Sequence, residues 1–440
     1  MSGQPAEIRN DQDPAVARSL SFLEKVFADV PYKAFAVKLW DGTLWQPGEE
    51  SPRFTLELKQ PAALRRMFWS PNEVSLGEAY IHDDFEIHGD IEACFNLSSY
   101  LLDRSWGVQE KARLAMDLLA LPGRRKSREG IAGARLKGSP HSKKRDAQAI
   151  SYHYNVSNDF YRLWLDRRMV YSCAFFHDPD EDIDAAQYRK LDYLCRKLRL
   201  EPGETLLDIG CGWGGLILHA ALNFGVKALG ITLSERQAEL ANQRIRQAGL
   251  EDHCEARILD YRDIDESRLF DKLVSVGMFE HVGKAQLATY FQKALRLLKP
   301  GGVFLNHGIT ESATRPLKQG PSFIDKYVFP DGELLPITAS LQIAEENGFE
   351  IRDVESLREH YALTLRRWVK RLQDHREQAV AMTSEATYRV WKLYMSGSAY
   401  GFETGDLNLY QALLLKPEGK ASPLPLTRCD WYRPCPEGHH

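Results

Sequence analysis

The residues best suited to chemistry lie in a glycine-rich turn that follows the apolar run Leu206-Leu-Asp-Ile. Glycines stand at positions 210, 212, 214 and 215, where they let the chain turn sharply and bring backbone N–H groups against a ligand. A helical pattern comes next, so the stretch predicts the strand, loop and helix of a nucleotide-binding α/β fold. Asp208 stands at the end of the expected strand, two residues before the first glycine. The pattern therefore predicts a cofactor site that includes Asp208, Gly210 and Gly212.

Two classes of cofactor fit such a turn. The glycines from 210 to 215 satisfy the spacing G-x-G-x-x-G, which is typical of dinucleotide binding. The next expected strand, however, ends near Thr232 without an acidic residue at its tip to bind a ribose diol. Asp208 suits a cofactor that carries an ammonium group, while Asp260 and Tyr261 offer a further carboxylate and an aromatic face for adenine. These features favour S-adenosylmethionine, which combines a sulfonium with an amino-acid moiety.

Five motifs together resemble the cyclopropane-fatty-acyl-phospholipid synthase family and its mycolic-acid-modifying relatives. They lie in order between about residues 150 and 415. The glycine turn by itself is common to many methyltransferases, so the resemblance depends on the set of motifs. The motifs are Tyr171-Ser-Cys-Ala-Phe-Phe, Leu207-Asp-Ile-Gly-Cys-Gly-Trp-Gly, Gly230-Ile-Thr-Leu-Ser, Gly277-Met-Phe-Glu-His-Val-Gly and Asn306-His-Gly-Ile-Thr. The resemblance implies that a methyl group passes from S-adenosylmethionine to the cis double bond of a phospholipid acyl chain. A carbocation then loses a proton and closes to a cyclopropane ring.

The resemblance also implies that the proton is taken by a bound bicarbonate ion. Cys173 and Ile309 match the positions that offer backbone N–H donors, and Glu280 and His307 match those that supply side-chain hydrogen bonds. Tyr361 matches the phenol donor. Because a carboxylate beside an anion needs a shared proton, Glu280 would accept from the bicarbonate hydroxyl. On residue type alone, each of these side chains is also compatible with a purely structural role.

The cofactor residues implied by the resemblance surround the expected strand ends. The set comprises Tyr171, Ser172, Asp208, Gly210, Gly212, Thr232, Ser234, Gln237, Asp260 and Tyr261. At one position the chain departs from the mycolate branch, which often has a Gly-Trp pair where this chain has Asp260 and Tyr261. Tyr261 can still stack on adenine. No metal ion is expected, because the Cys and His residues near the C-terminus suit a loose tail better than a metal site.

Three alternatives to cyclopropanation stay open at this stage. The same fold and cofactor could produce a methyl- or methylene-branched acyl chain, or could methylate a small amine. In a third alternative, an N-terminal lipid-binding module would make the chain a lipid carrier without turnover.

The elements that must position these residues alternate between strand and helix patterns. Strands are predicted at 205–210, 226–231, 254–259, 271–277, 302–308 and 349–355, and helices at 184–198, 214–224, 234–248, 284–298 and throughout 358–415. The alternation predicts an α/β fold, a Rossmann-like class I methyltransferase sheet with right-handed crossovers. Residues 312–345, which are rich in proline, are predicted to form a cap over the strand ends.

The chain is long enough for two domains. We expect a small α+β accessory domain at 1–120, which resembles that of the longer bacterial members and is a candidate for lipid association, a basic linker at 121–147, the methyltransferase domain at 148–416 and a loose tail at 417–440. Between positions 124 and 145 there are nine Lys or Arg residues and one acid, Glu129. This run is compatible with a solvated linker or with a strap on anionic lipid headgroups. Nucleic acid is not expected as a partner, because no aromatic residues are interspersed.

The composition is ordinary for a globular protein. Of 440 residues, 43% are hydrophobic and 27% charged, with a formal net charge of −4. The chain contains no apolar run of transmembrane length, no signal-peptide pattern and no C-x-x-C pair among its seven cysteines. We therefore expect a cytoplasmic protein, peripheral to the inner face of the membrane. The sequence does not fix the oligomeric state, and a homodimer is one option because family members are often dimers.

Overall fold

The computed structural model describes residues 13–123, 131, 133–154, 156–314, 322–419 and 422–432. Several predictions fall outside these residues: the charged positions 124–126, 128 and 129, the prolines at 316 and 321, and the terminal residues Cys435, His439 and His440. The described residues form two compact units. The first contains those up to 131 together with 322–323 and Glu385–Leu393, and the second contains the rest.

The first unit is a mixed α+β structure. Its elements in chain order are α1 (Pro14–Val26), β1 (Phe35–Lys38), β2 (Leu44–Trp45), β3 (Phe54–Leu58), α2 (Ala63–Phe68), α3 (Glu73–Ile81), β4 (Phe85–Gly89), α4 (Ile91–Asp103) and α5 (Val108–Leu119). The strand order is β2-β1-β3-β4, with β1 and β3 parallel. Phe54, Leu56 and Leu58 alternate with less buried residues along β3, so one face of this sheet packs on the core.

The chain returns to the first unit late in the sequence, a feature that local patterns did not predict. Arg389 is buried and donates to the Tyr80 backbone oxygen at 3.0 Å and to the Asp83 carboxylate at 3.0 Å. It also pairs with Glu86. A buried guanidinium requires such partners, because desolvation of an unpaired charge is costly.

The second unit contains the remaining elements. The helices are α6 (Lys143–Tyr154), α7 (Asn158–Arg162), α8 (Ile183–Leu198), α9 (Gly215–Phe224), α10 (Glu235–Gln247), α11 (Leu287–Leu297), α12 (Phe323–Tyr327), α13 (Ile337–Glu346), α14 (Arg358–Asp374), α15 (Arg376–Met382) and α16 (Glu385–Thr404). Of these, α12 and α16 run through the division between the units. The strands are β5 (Thr205–Ile209), β6 (Lys227–Thr232), β7 (Cys254–Ile258), β8 (Phe270–Val276), β9 (Leu298–Glu311), β10 (Glu350–Ser356) and β11 (Leu407–Leu415).

Seven strands form one sheet in the order β10-β11-β9-β8-β5-β6-β7. The strands from β5 to β9 pair in parallel, while β11 runs antiparallel to both β9 and β10. The five predicted strands between 205 and 308 therefore occur, and the predicted α/β fold is confirmed. Because parallel strands end at one edge of the sheet, the loops after β5, β6, β7 and β8 meet there.

The prediction of helices throughout 358–415 is wrong in its last part. Helices α14, α15 and α16 occur, but Leu407–Leu415 forms β11. Its final residues, Ala-Leu-Leu-Leu, are all buried, because β11 lies between β9 and β10 and is covered on both faces. A short continuous apolar run has neither the period of a helix nor the alternation of a half-exposed strand, so its type depends on tertiary pairing.

None of the helices in the described part of the chain combines the length and the apolar character that crossing a membrane requires.

Candidate active site

The glycine turn links β5 to α9 through backbone conformations that favour glycine. Gly210 has φ +94°, and a Cβ atom added there would lie 2.9 Å from the Met278 side chain. Gly212 has φ +54°, and an added Cβ would meet no protein atom within 4 Å. The turn is anchored by the N–H groups of Gly210 and Cys211, which donate to the Ile231 carbonyl at 3.0 and 2.9 Å. The local sequence therefore creates an open, backbone-lined cleft.

The cleft is part of a pocket of about 1340 Å³, including its mouth. Nine of the ten cofactor residues expected from the sequence line it: Tyr171, Ser172, Asp208, Gly210, Gly212, Thr232, Gln237, Asp260 and Tyr261. Ser234 is not part of the lining. Its hydroxyl instead accepts from the Gln237 N–H at 3.4 Å and caps α10. The Thr232 hydroxyl donates to Gln237 Oε1 at 2.7 Å, which fixes the amide at the pocket wall.

Asp208 is an acidic residue of the pocket lining. Its carboxyl is buried, and Oδ1 has no hydrogen-bond partner among the residues described. Burial raises the pKa of Asp208 to about 7, against a lowering effect of the nearby Lys190. An orphaned carboxylate oxygen fits the ammonium group of S-adenosylmethionine, because a cation there would replace the lost hydration.

Binding of such a ligand should depend on pH. We expect affinity for S-adenosylhomocysteine to rise about eightfold between pH 6 and 7.5, because the ionised fraction of a carboxyl with a pKa of about 7 rises by that factor. His281 in the same pocket has a pKa lowered to about 4 and does not titrate in this range. Titration calorimetry measures the effect. Asp208→Asn should bind weakly and without this slope, and a flat wild-type profile would contradict the assignment.

Lys190 was missed by the sequence reasoning. It is buried on α8, and its ammonium donates to the Ser172 hydroxyl at 2.9 Å. Gln187, one turn earlier, donates to the Ser172 carbonyl at 2.8 Å. Both polar residues lie on the same helical face as Leu191 and Leu194, and this interruption of an apolar face was the available signal. Burial lowers the pKa of Lys190 to about 8, while nearby Asp166 raises it.

Lys190→Met should weaken cofactor binding by raising the pKa of Asp208. Without the cation, the pKa of Asp208 should rise by roughly one unit, so affinity for S-adenosylhomocysteine at pH 7 should fall about fivefold and the pH profile should move upward. Lys197→Met is the matched control, because Lys197 is equally buried on the same helix but pairs with Glu355 outside the pocket lining. Equal losses in both variants would indicate a general loosening of α8 instead.

The basic residues at 143–145 lie at the start of α6, in the second unit. Arg145 donates to Asp331 at 2.8 Å, and Lys143 pairs with Asp263. Both belong to α6, whose residues Asp146, Ala149 and Ile150 line the cofactor pocket. Two of the three cations at 143–145 are therefore engaged within the protein.

A second cluster of predicted residues lies beside the pocket and begins with Glu280. Glu280 is buried in a 3₁₀ turn, Phe279–His281, that follows β8. Its Oε1 accepts from the Ile309 N–H at 2.6 Å, whereas Oε2 has no protein partner among the described residues. Burial raises the pKa of Glu280 to about 7, opposed by the Ile309 hydrogen bond. The Ile309 N–H thus holds the carboxylate, which leaves one carboxylate oxygen for a ligand.

His307 provides a neutral donor on the adjacent strand. Its Nδ1 lies 3.0 Å from the side-chain nitrogen of Gln411 on β11, which donates to it, so Nε2 carries the proton. Burial keeps the pKa of His307 well below its usual value, and Nε2 has no partner in the part of the chain described. The His307 carbonyl accepts from the Gly277 N–H at 2.8 Å, which ties it to the loop that carries Glu280.

Cys173 and Tyr361 are linked to each other, and to the strands that carry His307 and Ile309, through the backbone of Leu357. The buried Cys173 sulfur lies 3.8 Å from the Leu357 carbonyl, to which the Tyr361 N–H also donates at 3.2 Å. The Leu357 N–H donates to Leu409 of β11, which pairs with Ile309 of β9. Burial raises the pKa of the Cys173 thiol, so it is not a thiolate nucleophile at neutral pH.

Aromatic rings connect the cluster to the cofactor pocket. The Trp368 ring lies 5.3 Å from the Tyr171 ring in the pocket and 6.1 Å from the Tyr361 ring, measured between centroids. Asp260 and Tyr261 follow β7 and belong to the lining of the same pocket. There Arg262 holds the Asp260 carboxylate at 2.6 and 2.8 Å and so fixes the loop.

Comparison with known proteins identifies the family. Residues 141–412 match the family model described as mycolic acid cyclopropane synthetase, and residues 22–105 match a family described as a domain of unknown function. A probable fatty acid methyltransferase of Pseudomonas putida is 44% identical over 401 residues, which cover 90% of this chain and 96% of the relative. The cyclopropane-fatty-acyl-phospholipid synthase of Escherichia coli K12 is 39% identical over 293 residues, which cover 67% and 74%.

A solved structure gives the same result. A mycolic acid cyclopropane synthase, crystallised with SAH and CTAB, is 34% identical with a TM-score of 0.58 and covers 61% of this chain and 98% of its own. The chain therefore belongs to the mycolic acid cyclopropane synthetase family and has the fold of the class I S-adenosylmethionine-dependent methyltransferases.

Proposed function

We propose that this protein forms a cyclopropane ring on the cis double bond of an unsaturated phospholipid acyl chain, with S-adenosylmethionine as the source of the added carbon. The observation that carries the proposal is a pair of buried atoms beside the cofactor pocket, Glu280 Oε2 and His307 Nε2, for which the described residues provide no hydrogen-bond partner. One is an acceptor and the other a donor. Together they can hold a small anion that has both a hydroxyl group and an acceptor oxygen, at a place buried from solvent.

The cofactor supplies a methyl group bonded to a sulfonium, which an electron-rich double bond can attack. Asp208 binds the amino group, and Lys190 and Gln187 hold the Ser172 segment at the pocket wall. An alkene is a weak nucleophile, so fixed alignment supplies much of the rate. The burial of Cys173, Glu280 and His307 matters because water would trap the acyl-chain cation as an alcohol.

Ring closure requires loss of a proton from the new methyl carbon. A bicarbonate ion fits the second cluster, because Glu280 Oε2 would accept from its hydroxyl and His307 Nε2–H would donate to one of its oxygens. With a pKa near 7, Glu280 can hold a shared proton at neutral pH. Cys173 and Tyr361 complete the proposed wall of this site, and Ile309 holds Glu280 in place.

The relative from Pseudomonas putida favours a second candidate. It is named a probable fatty acid methyltransferase, a description that leaves product and substrate form open. Deprotonation at a chain carbon, or of the new methyl after a hydride shift, would give a methyl- or methylene-branched acyl chain from the same site.

Product analysis separates these candidates. The protein is incubated with [¹³C-methyl]-S-adenosylmethionine and either oleoyl phospholipid vesicles or free oleate. We expect a strongly upfield ¹³C signal, typical of a cyclopropane carbon, in the phospholipid sample. A vinylic or ordinary methyl signal would support the branched product. If the label appeared only in the free oleate sample, the substrate would be the free fatty acid and not the phospholipid.

A further inference from the structure

The helix α5 of the first unit presents an apolar stripe to solvent. Val108, Met116 and Leu119 are 86%, 62% and 57% exposed, and Ala112 between them is exposed too. At 100° per residue these four positions fall on one face of the helix. Isolated exposed apolar residues are common, but a continuous stripe along one helix marks an interaction surface.

The opposite face of α5 is fixed to the rest of the first unit. Leu118 is buried, Asp117 pairs with Lys25 of α1 at 2.8 Å, and Arg18 donates to the Ala120 carbonyl at 2.6 Å. The exposure of the stripe therefore does not result from a helix that is detached from the first unit. The stripe is the outer face of a docked helix.

The charges around the stripe favour contact with an anionic surface. Both acids of α5 are neutralised within the protein, Asp117 by Lys25 and Glu110 by Arg104 at 2.8 Å. Lys111 and Arg113, one on each border of the stripe, have no ion-pair partner in the described chain.

An exposed tryptophan lies at the same end of the helix. Trp69, which is 55% exposed, lies 5.5 Å from the Arg65 guanidinium, and Arg65 also donates to the Leu121 carbonyl just after α5. Tryptophan is typical of the zone between lipid headgroups and acyl chains.

We propose that the outer face of α5, together with Trp69, docks this protein onto an anionic lipid surface. An apolar stripe bordered by cations is the pattern of helices that lie in the plane of a membrane interface. The inference rests on the proposed function, since a phospholipid acyl chain must be reached at a membrane. It assigns the contact to α5 rather than to Lys143 and Arg145, which are engaged by Asp263 and Asp331.

The test compares a stripe variant with a matched control on the full-length protein. Met116→Ser/Leu119→Ser removes two exposed apolar side chains, and Leu222→Ser removes one that is 69% exposed on α9. Partition onto phosphatidylglycerol vesicles is measured by co-sedimentation. We expect the stripe variant to bind about tenfold more weakly than wild type, and the control to bind normally. Lys111→Gln/Arg113→Gln should lose binding at low salt and differ less from wild type at high salt.

Three results would overturn the proposal. The first is unchanged partition of the stripe variant, and the second is equal loss in the Leu222 control. The third is conversion from dimer to monomer in sedimentation velocity with vesicle binding intact, which would assign the stripe to a second copy of the chain. Affinity for S-adenosylhomocysteine, measured in parallel, shows that the second unit is folded. Stripe-dependent binding by a wild-type protein without lipid turnover would sustain this inference and refute the proposed function.

Discussion

Glu280→Gln is expected to lower kcat by about 10²–10⁴-fold, the usual contribution of a positioned proton acceptor. Affinity for S-adenosylhomocysteine should stay within about twofold of wild type, because Glu280 is not part of the cofactor pocket lining. The amide oxygen of glutamine can still accept from the Ile309 N–H. The amide nitrogen would then replace Oε2 and present a donor where the reaction needs an acceptor.

The matched control is Glu333→Gln. Glu333 lies against the same turn, since its N–H donates to the Glu280 carbonyl at 3.1 Å, but its side chain is exposed and accepts from the Lys284 N–H. It should retain near-normal turnover. A Glu280→Gln protein that loses cofactor affinity as strongly as turnover would show that Glu280 supports the pocket rather than the proton transfer.

Gly212→Val should have the largest effect on cofactor binding, a loss of affinity of about a hundredfold, equivalent to about 2.7 kcal/mol. At φ +54° a β-branched residue is strained, so either the backbone shifts or the side chain enters the pocket that Gly212 lines. In both cases the backbone surface offered to the ligand changes. Titration calorimetry with S-adenosylhomocysteine gives the affinity.

Gly249→Val separates pocket effects from backbone strain. Gly249 also has a positive φ, +65°, and an added Cβ would likewise meet nothing within 4 Å, but the residue is not part of the pocket lining. Both variants should lose stability, and Gly212→Val alone should lose binding. Near-normal affinity in Gly212→Val would show that the glycine turn is not part of the cofactor site.

The parts of this fold that were predictable from sequence are those with a strong local signal. The strands from β5 to β9 are apolar runs separated by helices and turns. The glycine turn needs positive φ angles, and its glycines indicate this directly in the sequence. Leu407–Leu415 carried no such signal, because its strand character comes from pairing with β9 more than 90 residues away.

The candidate site shows the same division. Asp208, Tyr171 and Thr232 stand in motifs, so their positions at the pocket could be predicted. Gln411 sets the tautomer of His307 across 104 residues, and Lys190 on α8 donates to Ser172 in the loop that precedes this helix. The Gln411 bond leaves no local pattern, and Lys190 leaves only a polar interruption of an apolar helical face, so sequence reasoning about the residues that contact a ligand omitted the groups that orient them.

The most direct test of the central claim uses S-adenosylmethionine with a trideuterated methyl group. Ring closure by loss of a proton from the new methyl carbon predicts that each modified phospholipid acyl chain retains two deuterium atoms, with the third released to solvent, and shows no vinylic carbon in its NMR spectrum. Retention of all three deuterium atoms in the lipid would contradict this account. It would show that the proton leaves from the acyl chain and that the product is methyl-branched.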